Sequence, residues 1–181
     1  MKILLTGADG FTGRPFTQLA VAAGHTVEPL QADLTHPVAL QQQVLASAPD
    51  AVVHLAAISF VGHADDNAFY AVNVIGTTNL LDALVQLPKR PQCVLLASSA
   101  NIYGNCTQSP IAEDQPTAPV NHYAMSKLAM EHMARTYADR LPLVITRPFN
   151  YTGPNQALNF VIPKLVEHFA QRAPSIALGN L

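Results

Sequence analysis

A tyrosine and a lysine four residues apart are the strongest chemical signal in this chain. Tyr123 and Lys127 fall in a predicted helix over residues 121–140, where that spacing places both side chains on one face. A free phenol has a pKa near ~10, and lowering it by about three units takes roughly 4 kcal/mol. A neighbouring ammonium group supplies part of that energy and makes tyrosine a usable acid or base near neutral pH. Taken alone, the pair is more typical of a solvated helix face.

Ser99 adds a hydroxyl to this pair. It follows a strongly apolar predicted strand over residues 93–98, and it could hold a substrate oxygen by a hydrogen bond. Together with a glycine-rich turn near the N-terminus, the combination of Ser99, Tyr123 and Lys127 favours acid–base catalysis over an ordinary helix surface.

Three glycines near the N-terminus predict a cradle for a phosphate group. Gly7, Gly10 and Gly13 lie between a predicted strand at residues 2–6 and a predicted helix at residues 11–23. The first glycine permits a tight turn, the second lets the backbone approach a phosphate, and the third lets the helix pack closely on the strand. The helix N-terminus adds N–H donors for a pyrophosphate. Because the first two glycines stand three apart rather than two, the turn alone leaves nucleotide binding and a structural turn open.

The elements that position these residues alternate between strands and helices. Further strands are predicted at residues 26–30, 51–56, 93–98 and 143–146, and further helices at 37–47, 66–87, 121–140 and 158–172. Pro29 indicates an edge strand, and Thr35 is a candidate cap for the second helix. The alternation predicts an α/β fold with a doubly wound, Rossmann-like parallel sheet.

Sites in such sheets lie beyond the carboxyl ends of the strands. The glycine turn and residues 54–59, 98–99 and 147–150 all follow predicted strands, so we expect them to meet in one crevice.

Composition narrows the classes of function. The chain has 181 residues, of which 49 % are hydrophobic and 12 % charged, and its net charge of −2 argues against nucleic-acid binding. Cys93 and Cys106 make no disulfide framework, which fits a reducing cytoplasm, and we expect no signal peptide and no membrane span. The seven histidines show no metal-ligand spacing, so no metal is expected.

Taken together, the motifs resemble an extended short-chain dehydrogenase/reductase, the group that modifies nucleotide sugars. The matching segments are residues 6–13, 54–57, 73–77 and 98–104, followed by Tyr123 with Lys127. The resemblance implies that Tyr123 donates or accepts the proton, that Lys127 binds the ribose and lowers the tyrosine pKa, and that Ser99 orients the sugar carbonyl. Asn73 would stabilise the sheet and helices near the site.

The resemblance also implies an NADP(H) or NAD(H) site. Its expected contacts are Gly7, Asp9, Gly10, Phe11, Thr12, Gly13, Asp33, Leu34, Leu55, Ala56, Ala57, Asn73, Tyr123, Lys127 and Pro148. NAD-preferring sites carry an acidic residue after the second strand, where this chain has Gln31. Arg14 could pair with a 2′-phosphate or be a surface residue, so NADPH is favoured with NADH tolerated.

A narrower likeness links residues 147–154, 159–164 and 178–181 to the branch of GDP-mannose 4,6-dehydratases and GDP-4-keto-6-deoxymannose reductases. The expected contacts with a nucleotide-diphosphate sugar, favouring a GDP-sugar, are Ser59, Ser99, Asn101, Asn150, Phe160, Val161 and Lys164. The dehydratases carry a glutamate where this chain has Asn101, and an amide cannot shuttle a proton at neutral pH. Reduction of a 4-keto sugar is therefore favoured over dehydration, with 4-epimerisation left open.

The resemblance sets the expected domain organisation. Residues 1–157 would form the dinucleotide-binding domain, and residues 158–181 would begin a substrate-binding region whose remainder is missing. Loss of that region would leave the alternative of a non-catalytic nucleotide-binding module. The family likeness further implies a cytoplasmic homodimer.

Overall fold

The chain folds around a parallel β-sheet of five strands. The computed structural model describes residues 1–178, so the prediction for residues 179–181 lies outside the described part. The strands are β1 (Lys2–Thr6), β2 (Thr26–Pro29), β3 (Ala51–His54), β4 (Cys93–Ala97) and β5 (Leu143–Thr146). They lie in the order β2-β1-β3-β4-β5, with every neighbouring pair parallel. The predicted α/β class is confirmed, and Pro29 lies on an edge strand as expected.

Five helices were predicted and the described residues form six α-helices, because one predicted helix is divided in two. They are α1 (Gly13–Ala22), α2 (Pro37–Ser47), α3 (Asp66–Tyr70), α4 (Thr77–Val85), α5 (His122–Arg135) and α6 (Val161–Gln171), and a 3-10 helix spans Ala100–Tyr103. The proposed cap at Thr35 is wrong, because the residue preceding α2 is His36. Thr35 instead donates its backbone N–H and its hydroxyl to Asp33.

The predicted helix over residues 66–87 is interrupted. A π-helical turn, Ala71–Gly76, separates α3 from α4, which the period of the apolar residues did not indicate. Such turns occur often at functional sites. By length and composition alone, Asp66–Val85 could cross a membrane, but 44 % of its apolar window is buried. Within this segment Leu80, Leu81 and Leu84 lie in the hydrophobic core.

Helices cover both faces of the sheet. On one face Leu4, Val52 and Leu96 pack with buried residues of α2, α4 and α5. On the other face Ile3 and Ala51 pack with Ala20 of α1. Burial on both sides explains why the central strands read as continuous apolar runs.

The register brings the carboxyl ends of the strands into line. Thr6 of β1 lies opposite His54 of β3, and Ala97 of β4 lies opposite Thr146 of β5. The segments that follow β1, β3, β4 and β5 therefore all leave the sheet at the carboxyl end of its strands.

The chain divides into two compact units. The first spans Met1–Phe149 and holds the whole sheet, and the second begins at Asn150 and holds α6. Within the second unit, residues between Thr152 and Glu167 line a cavity of about 500 Å³.

Candidate active site

The glycine turn has the shape that a phosphate cradle requires. Gly7 has φ +71°, and a Cβ there would lie 2.8 Å from the backbone nitrogen of Ala56. At Gly13 a Cβ would lie 2.1 Å from the carbonyl oxygen of Gly7, so only glycine lets α1 start so close to β1. Gly10 is exposed, and a Cβ there would meet only the Gly7 oxygen, at 3.2 Å. The turn is closed on its protein side and open at Gly10, which fits the pyrophosphate of a dinucleotide.

Other predicted cofactor contacts border this turn. Asp9 is exposed, Phe11 and Thr12 are half-buried beside Gly13, and Leu55 to Ala57 follow β3, whose neighbour in the sheet is β1. Pro148 follows β5, and its carbonyl oxygen accepts from the backbone N–H of Ala100 at 3.0 Å.

Asp33 and Leu34 lie after β2 and differ in exposure. The Asp33 carboxylate accepts from Thr35 at 2.8 Å, and these hydrogen bonds together with nearby His36 lower the pKa of Asp33. Leu34 is buried. A Cβ at Gly76 would lie 2.8 Å from the Cβ of Leu34, so the glycine at position 76 lets the π-helical turn pack tightly against Leu34.

Ser99 and Asn101 belong to the loop after β4. Ser99 is 7 % exposed, and its Oγ accepts from the backbone N–H of Asn101 at 3.1 Å. That contact uses a lone pair of the hydroxyl and leaves its hydrogen to donate to a substrate oxygen. Ser59, in the loop after β3, is exposed.

Lys127 is held inside the first unit, one helical turn after Tyr123. Its side chain is buried, and its Nζ donates to the carbonyl oxygen of Ala97 at 2.8 Å. Tyr123 is half-buried, and its ring lies 6.2 Å from that of Phe69. Because Lys127 is buried, the pair is not a solvated helix face, and this burial lowers the pKa of Lys127 to about 8.

This buried ammonium should make stability depend on pH. The folded-state pKa lies below the ordinary value of 10.5, so the unfolded chain binds more protons between about pH 8 and pH 10. The unfolding free energy of the wild type should rise over that window relative to Lys127→Met, by at most about 3 kcal/mol. Urea titrations at several pH values measure the difference.

Lys89→Met provides the matched control, because the Lys89 side chain is 80 % exposed. The unfolding free energy of the wild type relative to Lys89→Met should stay constant over this pH window. An equal rise relative to Lys89→Met, or no rise relative to Lys127→Met, would contradict a charged Lys127 held in the interior.

A buried ion pair that the sequence interpretation missed joins α5 to the end of β5. Arg147 donates from Nε and Nη2 to the two carboxylate oxygens of Glu131, at 2.9 and 2.7 Å. Its Nη1 donates to the Tyr103 hydroxyl at 2.7 Å and to the carbonyl oxygen of Glu113 at 2.8 Å. Burial alone would raise the pKa of Glu131, which is fully buried, but the hydrogen bonds and charge of Arg147, helped by Ser98 and the charge of Arg135, outweigh it and lower that pKa.

The Glu131–Arg147 pair connects the elements that carry the catalytic candidates. Glu131 is one turn beyond Lys127 on α5, and Tyr103 ends the 3-10 helix that begins next to Ser99. The sequence did contain one signal for a role of Glu131. Residues 123, 127 and 131 are spaced four apart and therefore share one face of the helix.

The remaining predicted substrate contacts lie in the second unit. There Phe160 immediately precedes α6, which Val161 begins, and Asn150 is exposed. Lys164 donates from Nζ to the carbonyl oxygen of Ala177.

Comparison with known proteins places this arrangement in a family. Residues 3–181 match the model of the NAD dependent epimerase/dehydratase family. The chain belongs to this family. A similar relative is the GDP-6-deoxy-D-talose 4-dehydrogenase of Aggregatibacter actinomycetemcomitans, 41 % identical over 187 residues, covering 100 % of this chain and 63 % of the relative. The GDP-6-deoxy-D-mannose reductase of Pseudomonas aeruginosa is 32 % identical over 99 % of this chain and 62 % of its own length.

A solved structure is similar to this chain over most of its length. RMD from Pseudomonas aeruginosa, complexed with NADPH, superposes with a TM-score of 0.84 and 34 % identity, over 94 % of this chain and 61 % of that one. The chain thus spans less than two thirds of the length of these relatives.

The described residues form no cluster of metal-ligating side chains. Among residues 1–178, no group of three or more His, Cys, Asp or Glu side chains could hold a metal ion.

Proposed function

We propose that this protein is an NAD(P)-dependent nucleotide-sugar oxidoreductase that reduces the C4 keto group of a GDP-4-keto-6-deoxy-sugar. One observation carries the proposal: a phosphate cradle open at Gly10 accompanies a buried Lys127 one turn from Tyr123. Membership of the epimerase/dehydratase family supports it, as do relatives named for GDP-6-deoxy-sugars.

The chain's own residues supply the proton chemistry. Tyr123 donates a proton to the oxygen developing at C4, and the Ser99 hydroxyl donates a hydrogen bond to the same oxygen. Lys127, anchored on the Ala97 carbonyl, binds the cofactor ribose and favours the ionised phenol. Bound NAD(P)H would supply the hydride.

Asn101 favours reduction over dehydration. Its amide stands where an acid–base glutamate would be needed, and an amide cannot act as a general acid or base at neutral pH. Asn150 and Lys164 are proposed to contact the diphosphate of the sugar nucleotide, and Phe160 and Val161 to line its nucleotide site.

The end of β2 favours NADPH while allowing NADH. Gln31 places no carboxylate against a 2′-phosphate, and its backbone N–H donates to Gln43 Oε1 at 3.0 Å. Arg14 in α1 is exposed and would pair with that phosphate.

The assembly proposed with this activity is a cytoplasmic homodimer formed through α5. Met125 on α5 is 43 % exposed, and a second copy packed against α5 would cover it. Sedimentation of the purified protein measures the oligomeric state.

A glycine substitution separates cofactor binding from folding. Gly10→Ala should keep the unfolding free energy within about 1 kcal/mol, because its Cβ meets only one atom at 3.2 Å, yet weaken NADPH binding about tenfold by blocking the phosphate. Calorimetric titration gives the affinity, and chemical denaturation gives the stability.

The control is Gly24→Ala, at a turn with φ +81° and open space around it. It should lose about 1 kcal/mol of stability from backbone strain and keep its NADPH affinity. If Gly10→Ala bound NADPH as tightly as the wild type, the turn containing Gly10 would not be the phosphate-binding site.

Turnover tests the activity. With NADPH and a GDP-4-keto-6-deoxy-sugar, the absorbance of reduced nicotinamide should fall as the sugar is reduced. An epimerase would interconvert sugars with no net loss of NADPH, and a non-catalytic module would bind NADPH without turnover.

A further inference from the structure

A line of buried hydrogen bonds starts beneath the glycine turn. The Thr6 hydroxyl lies 2.7 Å from Nδ1 of His54, whose Nε2 lies 2.9 Å from the Thr77 hydroxyl. Thr77 in turn donates to the carbonyl oxygen of Asn73 at 2.8 Å. Each of these four residues is 4 % exposed or less.

The line begins at the floor of the proposed phosphate cradle. Thr6 directly precedes Gly7, and its Oγ1 accepts from the backbone N–H of Ala56 at 3.0 Å. The Ala56 nitrogen is the same atom that a Cβ at Gly7 would meet.

The line continues to the helix that carries Tyr123. The Asn73 amide nitrogen donates to the Ser126 hydroxyl at 3.0 Å, and Ser126 donates to the Tyr123 carbonyl oxygen at 2.8 Å. The same Asn73 side chain also pairs with both backbone groups of Ile58, in the loop after β3. The π-helical turn places Asn73 between these two segments.

Only one arrangement of protons satisfies every contact at His54. The Asn73 carbonyl can only accept, so the single hydrogen of the Thr77 hydroxyl points to it. Thr77 must then accept from His54, which places the ring proton on Nε2. Nδ1 of a neutral ring accepts from the Thr6 hydroxyl, whose oxygen accepts from Ala56. If the ring proton were on Nδ1, Nε2 could only accept. The Thr77 hydroxyl would then have to donate to His54, and its hydrogen bond to the Asn73 carbonyl would be lost.

We propose that His54 is a positioning residue, a neutral imidazole fixed in its Nε2–H tautomer that joins the glycine turn to the helix bearing Tyr123. It touches no reacting atom. Its effect is to set the orientation of Thr77, and through it the π-helical turn and Asn73. The proposal rests on the proposed function only in treating Tyr123 as the proton donor.

The surroundings keep the imidazole uncharged. Burial, aided by the positive charge of Lys127, lowers the pKa of His54 to about 3. The other six histidines are at least partly exposed, so a protected ring proton identifies His54 in a spectrum.

Nitrogen-15 NMR of histidine-labelled protein tests the tautomer without substrate or cofactor. We expect one protected ring N–H on Nε2 and nitrogen shifts of a neutral ring that stay constant between pH 5 and pH 8. A proton on Nδ1, a mixture of tautomers, or a titration within that range would overturn the proposal.

A pair of Thr77 variants tests the positioning role. Thr77→Val keeps the branched shape and loses the hydroxyl, whereas Thr77→Ser keeps the hydroxyl. We expect kcat about tenfold lower in Thr77→Val with a nearly constant KM, and restoration to about half the wild-type kcat or better in Thr77→Ser. Equal kcat in the two variants would overturn the coupling, and the NMR result decides the tautomer even if Thr77→Val does not fold. Absence of NADPH turnover in the wild type would instead count against the proposed function.

Discussion

Replacing Tyr123 by phenylalanine should lower kcat about 10²–10⁴-fold, because the variant loses the proton donor at the reacting oxygen. Its affinity for NADPH should stay within about twofold, since the glycine turn and Lys127 are unchanged. Steady-state kinetics with a GDP-4-keto-6-deoxy-sugar and a calorimetric titration with NADPH measure the two quantities.

Tyr137→Phe serves as the matched control for that substitution. Tyr137 lies beyond the end of α5, and its hydroxyl donates to Asp82 at 2.7 Å. Its loss should cost about 1 kcal/mol of stability and leave kcat unchanged. Full turnover in Tyr123→Phe would remove Tyr123 from the chemistry, and an equal loss in Tyr137→Phe would show that phenol removal acts through folding.

Breaking the buried Glu131–Arg147 pair should have the largest effect on stability. Arg147→Met leaves the carboxylate of Glu131, which is fully buried, without its bidentate partner. Removing one member of such a pair typically costs about 3–5 kcal/mol, and the loss here should lie near the lower end because Nη2 of Arg135 stays 3.6 Å from the Glu131 carboxylate. Chemical denaturation measures the loss, and the exposed pair of Lys89 and Asp50 provides the control, with Lys89→Met costing less than about 1 kcal/mol.

The same pair predicts a loss of stability in acid. Arg147 lowers the folded-state pKa of Glu131 below its ordinary value of 4.5, despite burial, which acts in the opposite direction. The stabilisation is therefore present above about pH 5 and is lost as pH falls through the folded-state pKa. The gap between the wild type and Arg147→Met should narrow in that acidic range. A gap that stayed constant down to the acid transition would mean that the ion pair is not what Arg147 contributes.

The sheet was predictable from the sequence because its central strands are buried on both faces. Apolar runs such as residues 2–6 and 93–98 have few other interpretations in a chain with intervening helices. The edge position of β2 followed from Pro29, which lacks the N–H that an inner strand must donate.

Local features that depend on tertiary contacts were not predictable. The π-helical turn at Ala71–Gly76 is stabilised by Asn73 and Thr77, whose partners lie far away in sequence. The helix beginning at Pro37 was expected to have Thr35 as its cap, but Thr35 bonds to Asp33 instead.

The candidate site was only partly readable from sequence. Glycine spacing and the Tyr123–Lys127 pair point to a site because backbone conformation and helix periodicity act locally. The bond between Glu131 and Arg147 spans 16 residues, and that between Thr6 and His54 spans 48, so neither follows from a local pattern.

The path of the hydride tests the central claim most directly. The protein would be incubated with NADPH that carries deuterium at the transferable C4 position of the nicotinamide, together with a GDP-4-keto-6-deoxy-sugar, and the sugar product would be examined by mass spectrometry and NMR. The account predicts one deuterium at C4 of the sugar for each NADPH consumed. A sugar product without deuterium, or NADPH that binds and is never consumed, would contradict it.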